Sequence, residues 1–140
     1  MDETKDRLHL QIVTPERMLL DKFVTRVTIP ETDGYITVLP GHAALVAELG
    51  DGDLSYEEDG RTHHVALTGG FLQLRDNVVK LLANSALLPE EIDIERAKEA
   101  EKRAAQRLGS GDPTLNYKRA ISALHRAEAR LAVATTGHLQ

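Results

Sequence analysis

Five charged residues toward the carboxyl end of the chain have types and spacings that suit the binding of an anion. Asp93 and Arg96 are three residues apart and Arg103 follows seven residues later, so on one helix they would lie near one face. Arg126 and Arg130 are four residues apart and would share a face of a second helix. Guanidinium groups form forked hydrogen bonds with carboxylate and phosphate oxygens. If the two helices fold back on each other, these side chains converge, either around an anion or in ion pairs along solvated helix faces.

Histidines are the other candidates for chemistry, but their placement does not predict a metal or hydrolytic site. His63 and His64 are adjacent, so in a strand they would point to opposite faces and would be badly placed to chelate one metal ion. No arrangement of serine, histidine and aspartate indicates nucleophilic catalysis. The chain has no cysteine, which excludes disulfides and cysteine-bound zinc and favours a reducing compartment. We therefore predict no catalytic residue and no metal.

Charge is distributed unevenly along the 140 residues. Up to Pro89 the chain has 14 acidic and 8 basic residues, whereas from Glu90 onward it has 8 acidic and 9 basic residues. The acidic front argues against a nucleic-acid partner and suits a basic protein surface, although the charge can equally serve solubility alone. The amino terminus does not resemble a signal peptide, and no apolar run approaches the roughly 18 residues that span a bilayer. We expect a soluble chain.

The elements that must position these residues fall into two parts. Short segments rich in Val, Leu and Ile alternate with turn dipeptides as far as residue 88, which predicts an antiparallel β-sandwich over residues 1–88. One predicted strand, FVTRVTIP, places Phe23, Val27 and Ile29 on one face. Gly69 and Gly70 have β-like sequence on both sides and no lysine after them, so they predict a bulge or a tight strand connection rather than a phosphate loop.

Residues 89–140 predict a helical hairpin, so the fold class is α+β. Pro89 is well placed as the first residue of a helix that runs to about Leu108. Asp112 is the predicted N-cap of the second helix, with Pro113 after it, and that helix frays near residues 135–137. Its predicted apolar face consists of Tyr117, Ile121, Leu124 and Leu131, with Ala120 and Ala127 beside them.

Alanine dominates the apolar stripe of the first helix and flanks that of the second. It favours helix formation but buries little area, so the hairpin can keep its helices while its docking to the sandwich is weak. Two interpretations remain open at this point. The hairpin either leaves the sandwich as a unit, or stays docked and uses small side chains for close packing.

Three blocks of sequence, in this order, resemble the epsilon subunit of bacterial F-type ATP synthase. They are TPERMLLDKFVTRVTIPETDGYITVLPGHAALVAEL, ALTGGFLQLRDNVVKLLANSA and EEIDIERAKEAEKRAAQRL. Together they cover nearly the whole chain, and their order is more specific than any one block. The resemblance implies a β-sandwich at the foot of the rotor and a carboxyl-terminal helical hairpin.

The resemblance also implies a function and partners. The subunit would be noncatalytic and would join the central stalk to the ring of c subunits, contacting the gamma subunit and that ring, while its hairpin extends toward the alpha and beta subunits and hinders ATP hydrolysis. No cofactor would be required. The chain would lie at the cytoplasmic face of the bacterial plasma membrane and associate with it only through the complex. An alternative is a freestanding nucleotide-sensing or adaptor module, which copurification with a large ATPase would distinguish.

IDIERA resembles a motif with which some relatives bind ATP on the folded hairpin. An acidic residue that precedes the motif in some of those relatives is Leu87 here, which argues for weaker binding. In this interpretation the arginines contact phosphate, and Asp93 accepts a hydrogen bond from adenine or orients Arg96. The predicted ATP-binding residues are Ile92, Asp93, Arg96, Ala97, Arg103, Arg126 and Arg130.

The resemblance places a rotor interface in the sandwich. The position after Gly34, acidic in some relatives where the subunit faces the ring, is Tyr35 here, so that contact would be aromatic and partly carried by Glu31 or Asp33. His42, in the PGH sequence, is predicted to be a turn or interface residue rather than a catalyst.

Overall fold

The computed structural model describes residues 6–138, which form eight β-strands followed by two α-helices. The strands are β1 (Leu8–Val13), β2 (Met18–Val24), β3 (Arg26–Glu31), β4 (Gly34–Val38), β5 (Leu45–Leu49), β6 (Gly52–Glu58), β7 (Arg61–Arg75) and β8 (Val78–Leu87). One turn of 3-10 helix, Pro89–Glu91, leads to α1 (Ile94–Leu108) and α2 (Tyr117–His138). The predicted α+β class, a β-sandwich followed by two helices, is confirmed.

The sheet folds over on itself because one long strand changes partners. Hydrogen bonding orders the strands β2-β1-β8-β7-β5-β3-β4, and β6 pairs with both β3 and β7. β1 and β8 are parallel, whereas the other pairs are antiparallel. In the 15-residue β7, residues 61–67 pair with β6 and residues 70–74 pair with β5. The two layers therefore share β7 and enclose one core.

Gly69 and Gly70 lie at the point where β7 changes partners. Their φ angles are +48° and +116°, and a Cβ on Gly70 would lie 2.0 Å from the Leu82 carbonyl oxygen. A side chain is excluded there by both backbone conformation and space. The predicted bulge or tight connection is thus a bend within one strand.

Apolar residues at alternate positions of the strands fill the core. Leu8, Leu10 and Ile12 of β1 are fully buried, as their period-two spacing predicts. The strand predicted over residues 23–30 is wrong, because Val24 and Val27 are both buried and an odd spacing cannot keep two residues on one face of a strand. The chain instead turns between β2 and β3 at residue 25, and Phe23 is exposed rather than sharing the buried face.

Both helices begin later than predicted. Asp93 is the N-cap of α1, since its Oδ1 accepts the Arg96 N–H at 3.1 Å, and the preceding residue is extended. The carboxylate of Asp112 accepts the N–H of Thr114, two residues on, so it holds a local turn instead of capping a helix. Asn116 supplies the cap of α2, with its Oδ1 accepting the Arg119 N–H at 3.1 Å. The predicted fraying near residues 135–137 is also wrong, because α2 continues to residue 138.

Alanines at every seventh position form the buried seam of the hairpin. Ala97 and Ala104 are buried in α1, and Ala120 and Ala127 are buried in α2. Ala134, seven residues further on, is buried in a cluster with Ala66 of the sandwich. The predicted face of α2 is therefore only partly correct: Tyr117 and Ile121 are 51% and 41% exposed. Small side chains let the two helix backbones approach closely, which turns the larger residues outward.

Candidate functional site

The IDIERA segment lies at the junction between the sandwich and the hairpin. Ile92 is buried in an apolar cluster with Ala66 of β7 and with Val133 and Ala134 of α2. Asp93 follows it in extended conformation and uses one carboxylate oxygen to cap α1. The predicted placement of Asp93 on the same helix face as Arg96 is wrong, because Asp93 precedes the first turn and bonds the Arg96 backbone rather than its guanidinium.

The predicted arginines differ in what they contact. Arg96 and Arg103 are exposed on α1, about 10 Å apart along the helix axis. Arg126 and Arg130 are half-buried on α2. Within residues 6–138, Arg126 is the member of this set that forms an ion pair, with its Nη1 3.7 Å from Oδ2 of Asp51.

The ends of the hairpin determine which of these arginines can act together. Antiparallel helices joined by residues 109–116 place the middle of α1 opposite the first half of α2. Counting back from the loop, Arg130 lies at about the level of Arg96, and Arg126 lies between the levels of Arg96 and Arg103. The four predicted guanidiniums are therefore spread over about two turns along the hairpin, with Arg126 between the levels of Arg96 and Arg103.

Arg17 fixes the junction from the sandwich side. Its two terminal nitrogens donate to the carboxylate oxygens of Glu91 at 2.7 and 2.8 Å, and Nη2 also donates to the Ala86 carbonyl at 3.4 Å. Glu91 in turn accepts the Leu88 N–H at 2.8 Å. The hydrogen bonds from Arg17, followed by that from Leu88, hold the pKa of Glu91 below its ordinary value of 4.5. Arg17 is not among the predicted site residues, because its partner is 74 residues away and no local pattern marks it.

The predicted rotor residues do not form one cluster. Glu31 and Asp33 lie at the turn between β3 and β4. Tyr35, which is 60% exposed, is the second residue of β4 and pairs with Pro30. His42 lies in the loop beyond the other end of β4, where its N–H donates to the Leu39 carbonyl at 3.1 Å. A strand of five residues, roughly 17 Å long, separates it from the turn.

His63 and His64 have different neighbours, as expected for adjacent residues of a strand. The His63 ring stacks on Tyr56 with centroids 5.1 Å apart, whereas His64 Nδ1 lies 3.0 Å from Oδ1 of Asp53. Burial raises the pKa of Asp53, and the hydrogen bond from His64 acts in the opposite direction. Among residues 6–138, no three His, Asp or Glu side chains are grouped so as to hold a metal ion.

The order of a sandwich and a hairpin, joined at IDIERA, is also the order found by comparison with known families. Residues 7–89 match the profile of the ATP synthase, Delta/Epsilon chain, beta-sandwich domain, and residues 90–135 match that of the ATP synthase, Delta/Epsilon chain, long alpha-helix domain. The chain belongs to the ATP synthase delta/epsilon family. The resemblance inferred from three blocks of sequence is thereby confirmed.

Individual relatives in the delta/epsilon family match over nearly their full length. The ATP synthase epsilon chain of Nitratidesulfovibrio vulgaris (strain DP4) is 44% identical over 126 residues, which are 90% of this chain and 94% of that relative. The ATP synthase epsilon chain of Solibacter usitatus (strain Ellin6076) is 43% identical over 129 residues, covering 92% of this chain and 96% of the relative.

Solved structures of ATP synthases contain a similar chain. One, from the Euglena gracilis mitochondrial ATP synthase (OSCP/F1/c-ring in rotational state 1), superposes with a TM-score of 0.77 and 26% identity, covering 96% of this chain and 82% of that one. A chain from the central stalk/c-ring of the Tetrahymena thermophila mitochondrial ATP synthase shares the fold, with a TM-score of 0.54 and 15% identity. Within residues 6–138 of this delta/epsilon family member, neither helix has the length and apolarity required to cross a bilayer.

Proposed function

We propose that the chain is the noncatalytic central-stalk subunit of an F-type ATP synthase, which couples ion movement through the c-ring to ATP synthesis. Residues 1–88 would bind the gamma subunit and the c-ring, and residues 89–140 would restrain ATP hydrolysis at the alpha and beta subunits. The match of both family domains, in order and over nearly the full length of the relatives, is the observation that carries this proposal. The chain would then reach the cytoplasmic face of the bacterial plasma membrane only as part of the complex.

The turn between β3 and β4 is the proposed contact with the c-ring. It presents Glu31, Asp33 and the exposed ring of Tyr35 together, so an aromatic contact is flanked by carboxylates. His42 lies at the other end of β4. We therefore assign it to a different part of the rotor interface from the turn.

The structure of the hairpin supports a regulatory element that moves as a unit. Its two helices bury Ala97, Ala104, Ala120 and Ala127, whereas its apolar contact with the sandwich is the cluster of Ile92, Val133 and Ala134 with Ala66. Burial of this little apolar surface stabilises docking only modestly, at about 25 cal/mol per Å2. The hairpin can thus leave the sandwich without losing its own packing.

ATP would act as a regulatory ligand of the docked hairpin rather than as a required cofactor. The levels of Arg96, Arg103, Arg126 and Arg130 span about two turns of the hairpin, roughly the length of a triphosphate, so these guanidiniums would bind its oxygens. Ile92 and Ala97 would contribute apolar surface beside them, since both are packed at the base of the hairpin. Arg103 lies about one turn from the level of Arg126, on the side of the connecting loop.

Removal of the hairpin tests the proposed division of labour. A chain ending after Asp93 retains the Arg17–Glu91 contact and Ile92, so the sandwich keeps its closing segment. We expect this truncated chain to copurify with the ATP synthase complex as the full-length chain does, and ATP hydrolysis by the complex to rise. Loss of copurification would contradict the assignment of rotor binding to the sandwich. Unchanged hydrolysis would contradict the inhibitory role of the hairpin.

A further inference from the structure

An aspartate of the sandwich contacts one of the arginines that the nucleotide motif assigns to phosphate. Oδ2 of Asp51, in the turn between β5 and β6, is 3.7 Å from Nη1 of Arg126. The two side chains are partly withdrawn from water, at 21% and 34% exposure. Among residues 6–138, this is the ion pair that joins an α-helix of the hairpin to the sandwich.

The backbone that carries Asp51 is held tightly against β3. The glycines on either side of it are pressed against β3: a Cβ on Gly50 would lie 2.6 Å from the Glu31 carbonyl oxygen, and one on Gly52 would lie 2.8 Å from Cβ of Pro30. The Gly50 N–H also donates to the Pro30 carbonyl at 3.1 Å. The turn therefore positions Asp51 before the hairpin docks, which lowers the entropy lost when the ion pair forms.

Neighbouring charges do not compete for this contact. Asp53, two residues along the same strand, is engaged by His64 at 3.0 Å. Arg130, one turn after Arg126, forms no ion pair or hydrogen bond within the part of the chain that the structure describes. Asp51 and Arg126 are thus matched to each other, and Arg130 remains available to an added anion.

We propose that Asp51 is a built-in substitute for nucleotide phosphate: it holds Arg126 in the docked hairpin, and ATP must displace it to use that arginine. Carboxylate and phosphate oxygens bind the same guanidinium donors, so one arginine cannot serve both fully. This inference rests on the proposed function, since it requires a hairpin that docks and releases. It adds that docking does not depend on ATP in this protein, and that Asp51 weakens ATP binding.

The docking part of the proposal can be tested by amide hydrogen exchange of residues 127–134 in the full chain. Asp51→Asn and Arg126→Gln should each speed exchange of this segment about two- to fivefold, the range expected for a partly exposed ion pair. The double variant should resemble either single variant, because both remove one interaction. Arg119→Gln, at an exposed position of α2 outside the measured segment, is the matched control and should leave exchange unchanged. The charge exchange Asp51→Arg with Arg126→Asp should return exchange to within about twofold of the starting protein.

Exchange that is insensitive to Asp51→Asn, or additive effects in the double variant, would overturn the ion pair as a docking contact. The charge-exchanged chain distinguishes loss of the ion pair from misfolding. If a single substitution sped exchange by misfolding the chain, the second substitution would not slow exchange again.

Calorimetric titration with ATP tests the competition. Asp51→Asn should tighten ATP binding about two- to fivefold, whereas Arg126→Gln should weaken it. ATP affinity that is unchanged by Asp51→Asn but lost in Arg126→Gln would overturn the competition. If no variant binds ATP at millimolar concentration, ATP sensing is removed from the proposed function, and the competition between Asp51 and ATP is overturned as well. Hydrogen exchange still decides whether Asp51 holds the docked hairpin.

Discussion

At the scale of single residues, two ion pairs among residues 6–138 join the hairpin to the sandwich, and they differ in kind. The Arg17–Glu91 contact is a forked pair of short hydrogen bonds at the base of the hairpin. The Arg126–Asp51 contact is a longer ion pair on α2 itself. The first holds the segment where the hairpin begins, and the second holds a helix that can move away from the sandwich. Release of the hairpin therefore requires loss of the second contact but not of the first.

Glu91→Gln should remove a pH-dependent contribution to stability. Because the folded-state pKa of Glu91 lies below 4.5, its contact with Arg17 stabilises the fold fully above that pH and is lost as the pH falls through the lower folded-state value. Thermal unfolding of the wild-type chain should therefore show a loss of stability below pH 4.5 that is smaller in Glu91→Gln. Glu90→Gln is the neighbouring control and should keep the wild-type profile. Identical profiles for all three chains would refute this role of Glu91.

At the scale of the elements, the alanine seam explains why the hairpin is only partly predictable from its sequence. Helical periodicity locates both helices, but it favours the larger apolar residues as the buried face. The structure buries the predicted flanking residues Ala120 and Ala127, and leaves Tyr117 and Ile121 of the predicted face exposed. The buried face depends on how closely the two helices approach each other, so the residue pattern of one helix alone does not predict it.

Ala127→Leu should destabilise the hairpin by about 1–3 kcal/mol, because a larger side chain has no space in the seam. Ala127 is 2% exposed. Ala132→Leu, at an exposed position of the same helix, should change stability by about 0.5 kcal/mol or less. Urea unfolding followed by helical circular dichroism measures both variants. Equal effects at the two positions would show that α2 is not packed through this seam.

In the strands and in the candidate site, too, local sequence patterns predict features within one element but not contacts between elements. Period-two alternation correctly predicts the buried face of β1. It does not predict the turn between β2 and β3, because Val24 and Val27 are buried in two different strands and their odd spacing fits no single strand. The sequence pattern also identifies Arg126 as a candidate, because arginines at helical spacing are visible in the chain. It gives no indication of Asp51, whose contact is 75 residues distant and depends on how the sheet folds.

At the scale of the whole molecule, the bend in β7 decides whether the sheet closes over its core. Gly70→Ala should therefore destabilise the sandwich by more than about 3 kcal/mol, since the new Cβ would meet the Leu82 carbonyl and the backbone is left-handed there. Gly111→Ala, with φ of +71° but no atom within 4 Å of the added Cβ, should cost only about 1–2 kcal/mol. Denaturant unfolding compares the two. Comparable losses would show that the close approach at Gly70 is not what constrains the bend.

The sharing of β7 between the layers also has a mechanical consequence. Two separate sheets can slide past each other by rearranging side chains alone. Here, sliding would have to break backbone hydrogen bonds of the strand that pairs with β6 along residues 61–67 and with β5 along residues 70–74. The sandwich should therefore resist shear as a single rigid body. In the proposed rotor it would pass torque between its neighbours with little elastic loss, and any compliance would have to come from other parts of the stalk.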